Sequence, residues 1–261
     1  MMEFKHNELS PKDFFRNVSN LFKQPEKRNY FTSAVIVAGG VGKRTGLELP
    51  KQHVLLCGRP AVTYTLEAFE KSHAISEIVV VCLEGEERLY RNYAEKYGIS
   101  KLSRVVCGGK TRQESSRIGV EAVNAECEFV AIHDAARCLI TTEDIEKTVR
   151  TAYRYNASVA AVRANDTVKI ADPDGFVGRT PDRNRVYLAQ TPQVMKHDIY
   201  EAAVQLAQRD GYTGTDDSSL AERLGYKVKI CVTEFPNFKI TTASDIVAAE
   251  AILKKRCNGE S

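Results

Sequence analysis

The run Val35–Gly46, "VIVAGGVGKRTG", followed at once by "LELPKQ" (residues 47–52), decides how this chain is read. A short apolar stretch that gives way to glycines and then to cations has the outline of a strand entering a phosphate-binding turn. The Walker loop requires G-x-x-x-x-G-K-[ST]. With Gly42-Lys43 as its end, the leading glycine falls on Val37, and Arg44 occupies the hydroxyl position. The dinucleotide pattern G-x-G-x-x-G fails as well, because Thr45 stands where the third glycine belongs and Gly46 comes one residue late. What remains is a glycine turn, Ala38-Gly39-Gly40-Val41-Gly42, whose backbone N–H groups can approach a triphosphate closely. Lys43 and Arg44 follow it. Pro50 fixes φ ahead of Lys51 and so helps aim that lysine back at the turn.

Outward from this point the chain alternates. "SAVIVA" (33–38), "EIVVVCL" (77–83), "SRVVC" (103–107) and "EFVAIH" (128–133) read as buried strands. Between them lie helical patterns. "RPAVTYTLEAFEKS" (59–72) puts Val62, Leu66 and Phe69 on one face, and "EERLYRNYAEKYG" (86–98) aligns Leu89, Tyr93 and Tyr97 before the stop at Gly98. "TRQESSRIGVEAV" (111–123) opens on the capping-box pattern Thr111-x-x-Glu114, and "TTEDIEKTVRTAYRY" (141–155) is a further helix. Such alternation predicts an α/β fold, a mostly parallel sheet with helices on both faces. Ligands in these sheets sit at the carboxyl ends of the strands, which points to loops 38–51, 107–115 and 133–137.

The pattern breaks at 164–188, a polar stretch built around the turn "DPDG" (172–175). A hairpin with so little apolar content adds little to its own core, and it is expected to project as an arm and pack on a second subunit. Helices over 196–208 and 216–224, a strand over 226–232 and a last helix over 243–256 close a single domain spanning 33–256, with a tail at 257–261. Residues 1–32 stand apart. Ser10 and Pro11 can start a short amphipathic helix carrying Phe14, Phe15, Val18, Leu21 and Phe22.

Composition narrows the function classes. The net charge of +3 comes from interspersed charges with no basic stripe, so a nucleic-acid partner is not expected. No run approaches the ~18 apolar residues of a membrane span, and the amino terminus lacks a secretory apolar core. The seven cysteines form no C-x-x-C pair and share no ligand spacing with the five histidines, which predicts buried free thiols in a reducing cytoplasm rather than a zinc site.

Taken with "AGGVGKRTGLELPKQ", the segments "GGKTRQESS" (108–116), "HDAAR" (133–137), "DTVK" (166–169), "PDRNRVY" (181–187), "QTPQ" (190–193), "TDDSS" (215–219) and "NFKITTASD" (237–245) make the chain resemble one family. That family is the 2-C-methyl-D-erythritol 4-phosphate cytidylyltransferases of the non-mevalonate isoprenoid pathway. The motifs recur in the family's order from residue 33 to about 255. Each is weak alone, and their order makes the match specific.

The resemblance implies a Rossmann-like, nucleotide-diphospho-sugar-transferase-like fold that works as a homodimer exchanging the arm. It implies transfer of CMP from CTP to methylerythritol phosphate with release of pyrophosphate, assisted by Mg²⁺. Arg44 and Lys51 take the role of transition-state stabilisers. Ala38, Gly39, Gly40 and Gly42 approach the triphosphate, Gly109 belongs to a cytosine-recognising turn, Ser115 donates to the nucleotide, and Ala135 lies near its ribose. Asp134 sits by the substrate and the metal, and Arg137 by the polyol phosphate. Thr167 and Arg183 cross the dimer interface to the substrate, Thr191 makes a further contact, and Lys239 holds the nucleophilic phosphate. Arg112 is expected to support the 108–115 turn, and His133 to be a packed residue. Cys138, Lys110 and Tyr187 depart from the family's usual proline, acid and tryptophan. Ribitol or pentitol phosphates, or a silent nucleotide-binding role, are the competing readings. Retention of Arg44, Lys51, Asp134, Arg183 and Lys239 together argues against the silent one.

Overall fold

The computed structural model describes residues 30–40 and 50–258. The expected amino-terminal helix, Gly42, Lys43 and Arg44 lie outside the described residues. The first strand, β1 (Thr32–Val37), runs into Ala38 and the glycines. A single 3₁₀ turn (Lys51–His53) and a small hairpin of β2 (Leu55–Leu56) and β3 (Arg59–Pro60) lead into α1 (Ala61–Lys71). There follow β4 (Glu77–Cys82), α2 (Glu87–Tyr97), β5 (Leu102–Cys107), α3 (Arg112–Glu121), β6 (Phe129–Asp134), α4 (Thr142–Tyr155) and β7 (Ala157–Arg163). The second half holds β8 (Ile170–Ala171), β9 (Val177–Arg179), β10 (Tyr187–Lys196), α5 (His197–Arg209), α6 (Asp217–Arg223), β11 (Lys229–Val232) and α7 (Ala243–Cys257).

Seven strands form one sheet in the order β11-β7-β10-β6-β1-β4-β5, with β8 and β9 paired apart from it. All neighbours are parallel except β10, which is antiparallel to both β6 and β7. Side chains along a strand alternate between faces. Burial at every position of β4 and β6 therefore requires cover on both sides, and the helices supply it. Val62, Leu66 and Phe69 of α1 are fully buried, as their spacing predicts. Each contributes on the order of 1.5–3 kcal/mol by leaving water. Helix α3 seats unusually close to the sheet: a Cβ at Gly119 would collide with the side chains of Val35 and Val81. That fit brings the start of α3 over the ends of the central strands.

Differences from the sequence reading are local. In α2 the fully buried residue is Tyr90, while Leu89, Tyr93 and Tyr97 are only half-buried. Gly98 ends the helix in the left-handed region, φ 68°. The Thr111 hydroxyl caps α3 by accepting from Glu114 N–H, but the Glu114 carboxylate takes Lys110 N–H at 2.8 Å, so the box is not reciprocal. Four cysteines are buried, whereas Cys57 and Cys257 are exposed and Cys107 is half-exposed. Cys138 packs in an apolar cluster with Leu56, Leu139 and Ile240, and burial pushes its thiol up to about 12.

β10 is a stretch to which the sequence reading assigns no element, and it carries Pro192, which cannot donate to a ladder. The structure accommodates it with an irregularity. Tyr187–Ala189 pair with Arg163–Ala161, and the register shifts before Gln193 pairs with Val159. Gln190, Thr191 and Pro192 therefore bulge from the ladder beside the end of β6. Bulges commonly re-aim side chains in this way next to active sites.

Candidate active site

The strand order reverses about β1: the chain proceeds from β1 to β4 and β5 on one side, then to β6 on the other. The crevice at such a switch point, at the carboxyl ends of the strands, is where ligands bind in open α/β sheets. On one flank lies the glycine turn. Ala38 is buried, and its N–H donates to Val81 O at 2.7 Å. Gln52, almost wholly buried, donates from its amide to Ala38 O at 2.7 Å. This pins the 3₁₀ turn that carries Lys51 to the end of β1. The Lys51 stem lies against Gly40, since a Cβ there would sit 3.7 Å from Lys51 Cε. His53, at the end of the same turn, stands 3.1 Å from Glu86 at the start of α2.

The second flank is the 108–115 turn. Gly108 N–H donates to Cys82 O at 2.8 Å, and a Cβ on Gly109 would overlap the Glu114 side chain as it stands, so a larger residue there would displace Glu114. The Ser115 hydroxyl accepts from Gly109 N–H at 3.1 Å and donates to Thr111 O at 2.9 Å. Its proton is spent inside the turn, so in this conformation Ser115 shapes the turn rather than offering the free donor expected of it. Gly39 packs under the same corner, its Cβ position 3.9 Å from Ser115 Oγ. The two glycine segments thus face one another.

Across the crevice, Asp134 at the end of β6 is the hub of an ion network. Its Oδ1 accepts from Arg112 Nε at 2.9 Å and its Oδ2 from Lys239 Nζ at 2.7 Å. Arg137 Nε stands 3.8 Å from Oδ2. Burial alone would raise the Asp134 carboxyl, but Arg112 and Lys239 override it and hold the group well below the usual carboxylate range. Arg112 does not support the turn as expected. It reaches across to Asp134 and, through Nη1 at 2.8 Å, to the buried Asp217. Burial raises the Asp217 carboxyl, and Arg112 opposes that rise. Arg137 donates from Nη1 to Asn237 O at 2.9 Å, while Asn237 donates to Thr191 O at 2.8 Å.

His133 is fully buried, and burial lowers its ring to about 3. Its Nε2 lies 3.3 Å from Arg137 O, a carbonyl that can only accept, so the proton resides on Nε2. Nδ1 then accepts from the Thr191 hydroxyl at 3.0 Å, and that hydroxyl accepts from Asp134 N–H at 3.1 Å. His133 is the packed residue anticipated, and it locks the loop that presents Asp134 and Arg137. Thr191 spends its proton on this lock and keeps one lone pair. Ala135, also buried, donates to Val37 O at 3.0 Å.

A cleft of about 270 Å³ opens over this network, lined by Arg112, Asp134, Arg137, Gln190, Thr191 and Lys239 among others. Thr167 and Arg183 are not brought into it. Both lie on the exposed 164–188 segment, and Arg183 Nη1 donates to Asn165 O at 3.2 Å. The sequence reading missed Gln52 as the anchor of Lys51 and Asp217 as the second partner of Arg112. Both stood inside quoted motifs, "PKQ" and "TDDSS", but only tertiary contacts reveal their roles. No cage of three or more His, Cys, Asp or Glu side chains exists among the described residues. The Asp134 oxygens already accept from Arg112 and Lys239, and Asp216, which also lines the cleft, accepts from Gln193, an arrangement that does not fit a resident divalent ion. No helix among the described residues is long and apolar enough to cross a membrane.

A Rossmann-like sheet, glycine turns at its switch point and converging cations define a nucleotidyltransferase of the small-molecule type. The comparisons narrow the class. The family model for 2-C-methyl-D-erythritol 4-phosphate cytidylyltransferase matches residues 32–255. An enzyme of that description from Caldanaerobacter subterraneus is 42% identical over 224 residues, covering 85% of this chain and 99% of its own. One from Pelotomaculum thermopropionicum is 42% identical, covering 86% and 94%. The solved 4-diphosphocytidyl-2C-methyl-D-erythritol synthase from Anaerococcus prevotii superposes with a TM-score of 0.78 at 33% identity, covering 87% of this chain and 99% of that one. The chain belongs to the 2-C-methyl-D-erythritol 4-phosphate cytidylyltransferase family.

Proposed function

We propose that the chain transfers CMP from CTP to 2-C-methyl-D-erythritol 4-phosphate, giving CDP-methylerythritol and pyrophosphate in the isoprenoid pathway. The observation that carries this reading is the Asp134-centred cleft, with its cations, facing the glycine turns and Lys51 across the switch point. A phosphate oxygen of the polyol attacks the α-phosphorus in line. The new P–O bond forms as the bond to the β-phosphate breaks, and pyrophosphate leaves with the electron pair. The attacking oxygen is ionised near neutral pH, so no general base is needed. His133, held neutral with both ring nitrogens engaged, is consistent with that.

The work falls to charge stabilisation and positioning. Lys239 keeps two N–H donors beyond its bond to Asp134, and with Arg137 it receives the polyol phosphate. Lys51 and Arg44 stabilise charge at the α-phosphate. The N–H groups of Gly39, Gly40, Gly42 and Gly109 receive the nucleotide, beside Ala38, Ala135 and the Ser115-shaped turn. Thr191 uses its remaining lone pair on the substrate. Mg²⁺ would enter as part of the nucleotide substrate and neutralise its phosphates, with Asp134 and Asp216 lining the cleft. Thr167 and Arg183 reach the cleft of a second copy in an arm-exchanged homodimer. Residues 33–256 form the catalytic domain, flanked by the 1–32 extension and the 257–261 tail, and the enzyme works in the cytoplasm. Pyrophosphate release is measured with CTP and methylerythritol phosphate, then with ribitol phosphate. Turnover with the first and little with the second is expected. The reverse preference would overturn the substrate assignment.

A further inference from the structure

Asp217 is a buried carboxylate for which the chemistry above has no use. It is 1% exposed, and burial raises its carboxyl. It is not needed as a helix cap, because its neighbour Asp216 caps α6 through Ser219 N–H at 2.9 Å. Replacing buried ion pairs with apolar groups is often neutral or stabilising, so stability alone is a weak reason for its presence. Its contacts supply another reason. Arg112 is planar, and it donates in two directions: Nη1 to Asp217 and Nε to Asp134, at 2.8 and 2.9 Å. The far oxygen of Asp134 is then left facing Lys239 Nζ. The α6 end of the link is itself held in place. The Gln193 amide donates to Asp216 at 2.8 Å, and its oxygen accepts from Ser218 N–H at 2.7 Å.

We infer that Asp217 is a positioning residue: by clamping Arg112 it sets the plane of the Asp134 carboxylate, and thereby where Lys239 presents its free N–H groups to the polyol phosphate. The inference rests on the reading of Lys239 as the holder of that phosphate. Asp217 touches no substrate, and the link runs through one guanidinium.

The test uses the full chain with both substrates varied. Asp217→Asn keeps the shape and removes the charge that fixes Arg112. Arg112→Lys keeps the charge and removes the fork. Each should lower kcat/KM for the polyol phosphate by about 10- to 100-fold while the KM for CTP stays within about twofold, a split that general loosening does not produce. Because both act on one link, the double variant should be no worse than the weaker single by more than about twofold. Kinetic constants unchanged in Asp217→Asn with only a lower Tm, both KM values rising together, or additive losses would each overturn the inference. A wild-type chain inactive with CTP and methylerythritol phosphate would strike the substrate reading itself, which the same assay shows separately.

Discussion

The cleft and the 164–188 segment carry residues named by the same family motifs, yet they are built in opposite ways. Around the buried Asp134, cations pair with the carboxylate, and most of its neighbours are anchored in turn: Arg112 by Asp217, Arg137 by Asn237, and Thr191 by His133. On the arm, β8 and β9 are two and three residues long and exposed throughout, with Phe176 at 74% and Val177 at 63% exposure. An isolated two-stranded hairpin is marginal in water. The cleft is self-supporting, whereas the arm gains its cover from elsewhere if it is to hold Thr167 and Arg183 still. A site built from the first kind of region is preorganised in one protomer. One that also needs the second kind depends on assembly.

The sharpest way to break that division is to remove a cation on the self-supporting side. Lys51→Ala should fold normally, because Gln52 still ties its turn to Ala38 O. It should cut kcat by roughly 10²–10³, the usual cost of losing one preorganised charge-stabilising donor. Steady-state pyrophosphate release checks this, and near-wild-type turnover would end the assignment. Next in size is Arg183→Ala, expected to reduce kcat/KM for the polyol phosphate by about 10- to 100-fold with Tm unchanged, since the side chain's bond to Asn165 O is an exposed one. Mixed dimers of Arg183→Ala and Lys51→Ala chains should regain one intact site if the arm crosses. Without recovery, the arm serves its own protomer or none.

The same contrast explains what the sequence could reveal. Alternation of apolar runs and helical faces exposes the parallel sheet, because two-sided burial leaves a continuous hydrophobic signature such as "EIVVVC". β10 was hidden because its pairing tolerates Pro192 only through a three-residue irregularity, a tertiary accommodation with no periodic trace. Within the site, Asp134, Arg137 and Lys239 were legible from motifs, and the structure brings them together. The wiring was not legible. Nothing in the spacing of Arg112 and Asp217, 105 residues apart, says that one clamps the other. Ser115 and Thr191 show the same limit from the other side: a motif marks them, but only the structure shows that their hydroxyl protons are committed to the loops they stabilise.

A smaller effect probes how firmly the cleft is locked. His133 is neutral in the fold, lowered to about 3 by burial, while the unfolded chain's imidazole titrates near 6.5. Asp134 beside it favours the charged ring, and Arg137 and Arg112 oppose it. Between those two values the unfolded state binds the proton and the folded state does not. Stability is therefore fully present above about 6.5 and falls as pH drops toward 3, by up to about 1.4 kcal/mol per pH unit for this one group. Asp217, whose carboxyl burial raises, contributes with the opposite sign. Urea midpoints measured between pH 7 and 5 should show the slope in the wild type and a shallower one in His133→Gln. Equal slopes would mean that the ring is not the group being kept neutral.

The smallest effect is expected from deleting residues 1–30. The described cleft and turn residues fall between Ala38 and Lys239, and β1, at the centre of the sheet, begins only at Thr32. The Caldanaerobacter relative aligns over 99% of its own length within 224 residues of this chain, so it has no room for a matching 30-residue lead. The truncated chain should keep CTP turnover within about twofold, with any loss appearing as lower Tm rather than altered KM, as expected when a terminus only packs. A tenfold fall in kcat with Tm unchanged would make the extension, like the arm, a region on which the cleft depends.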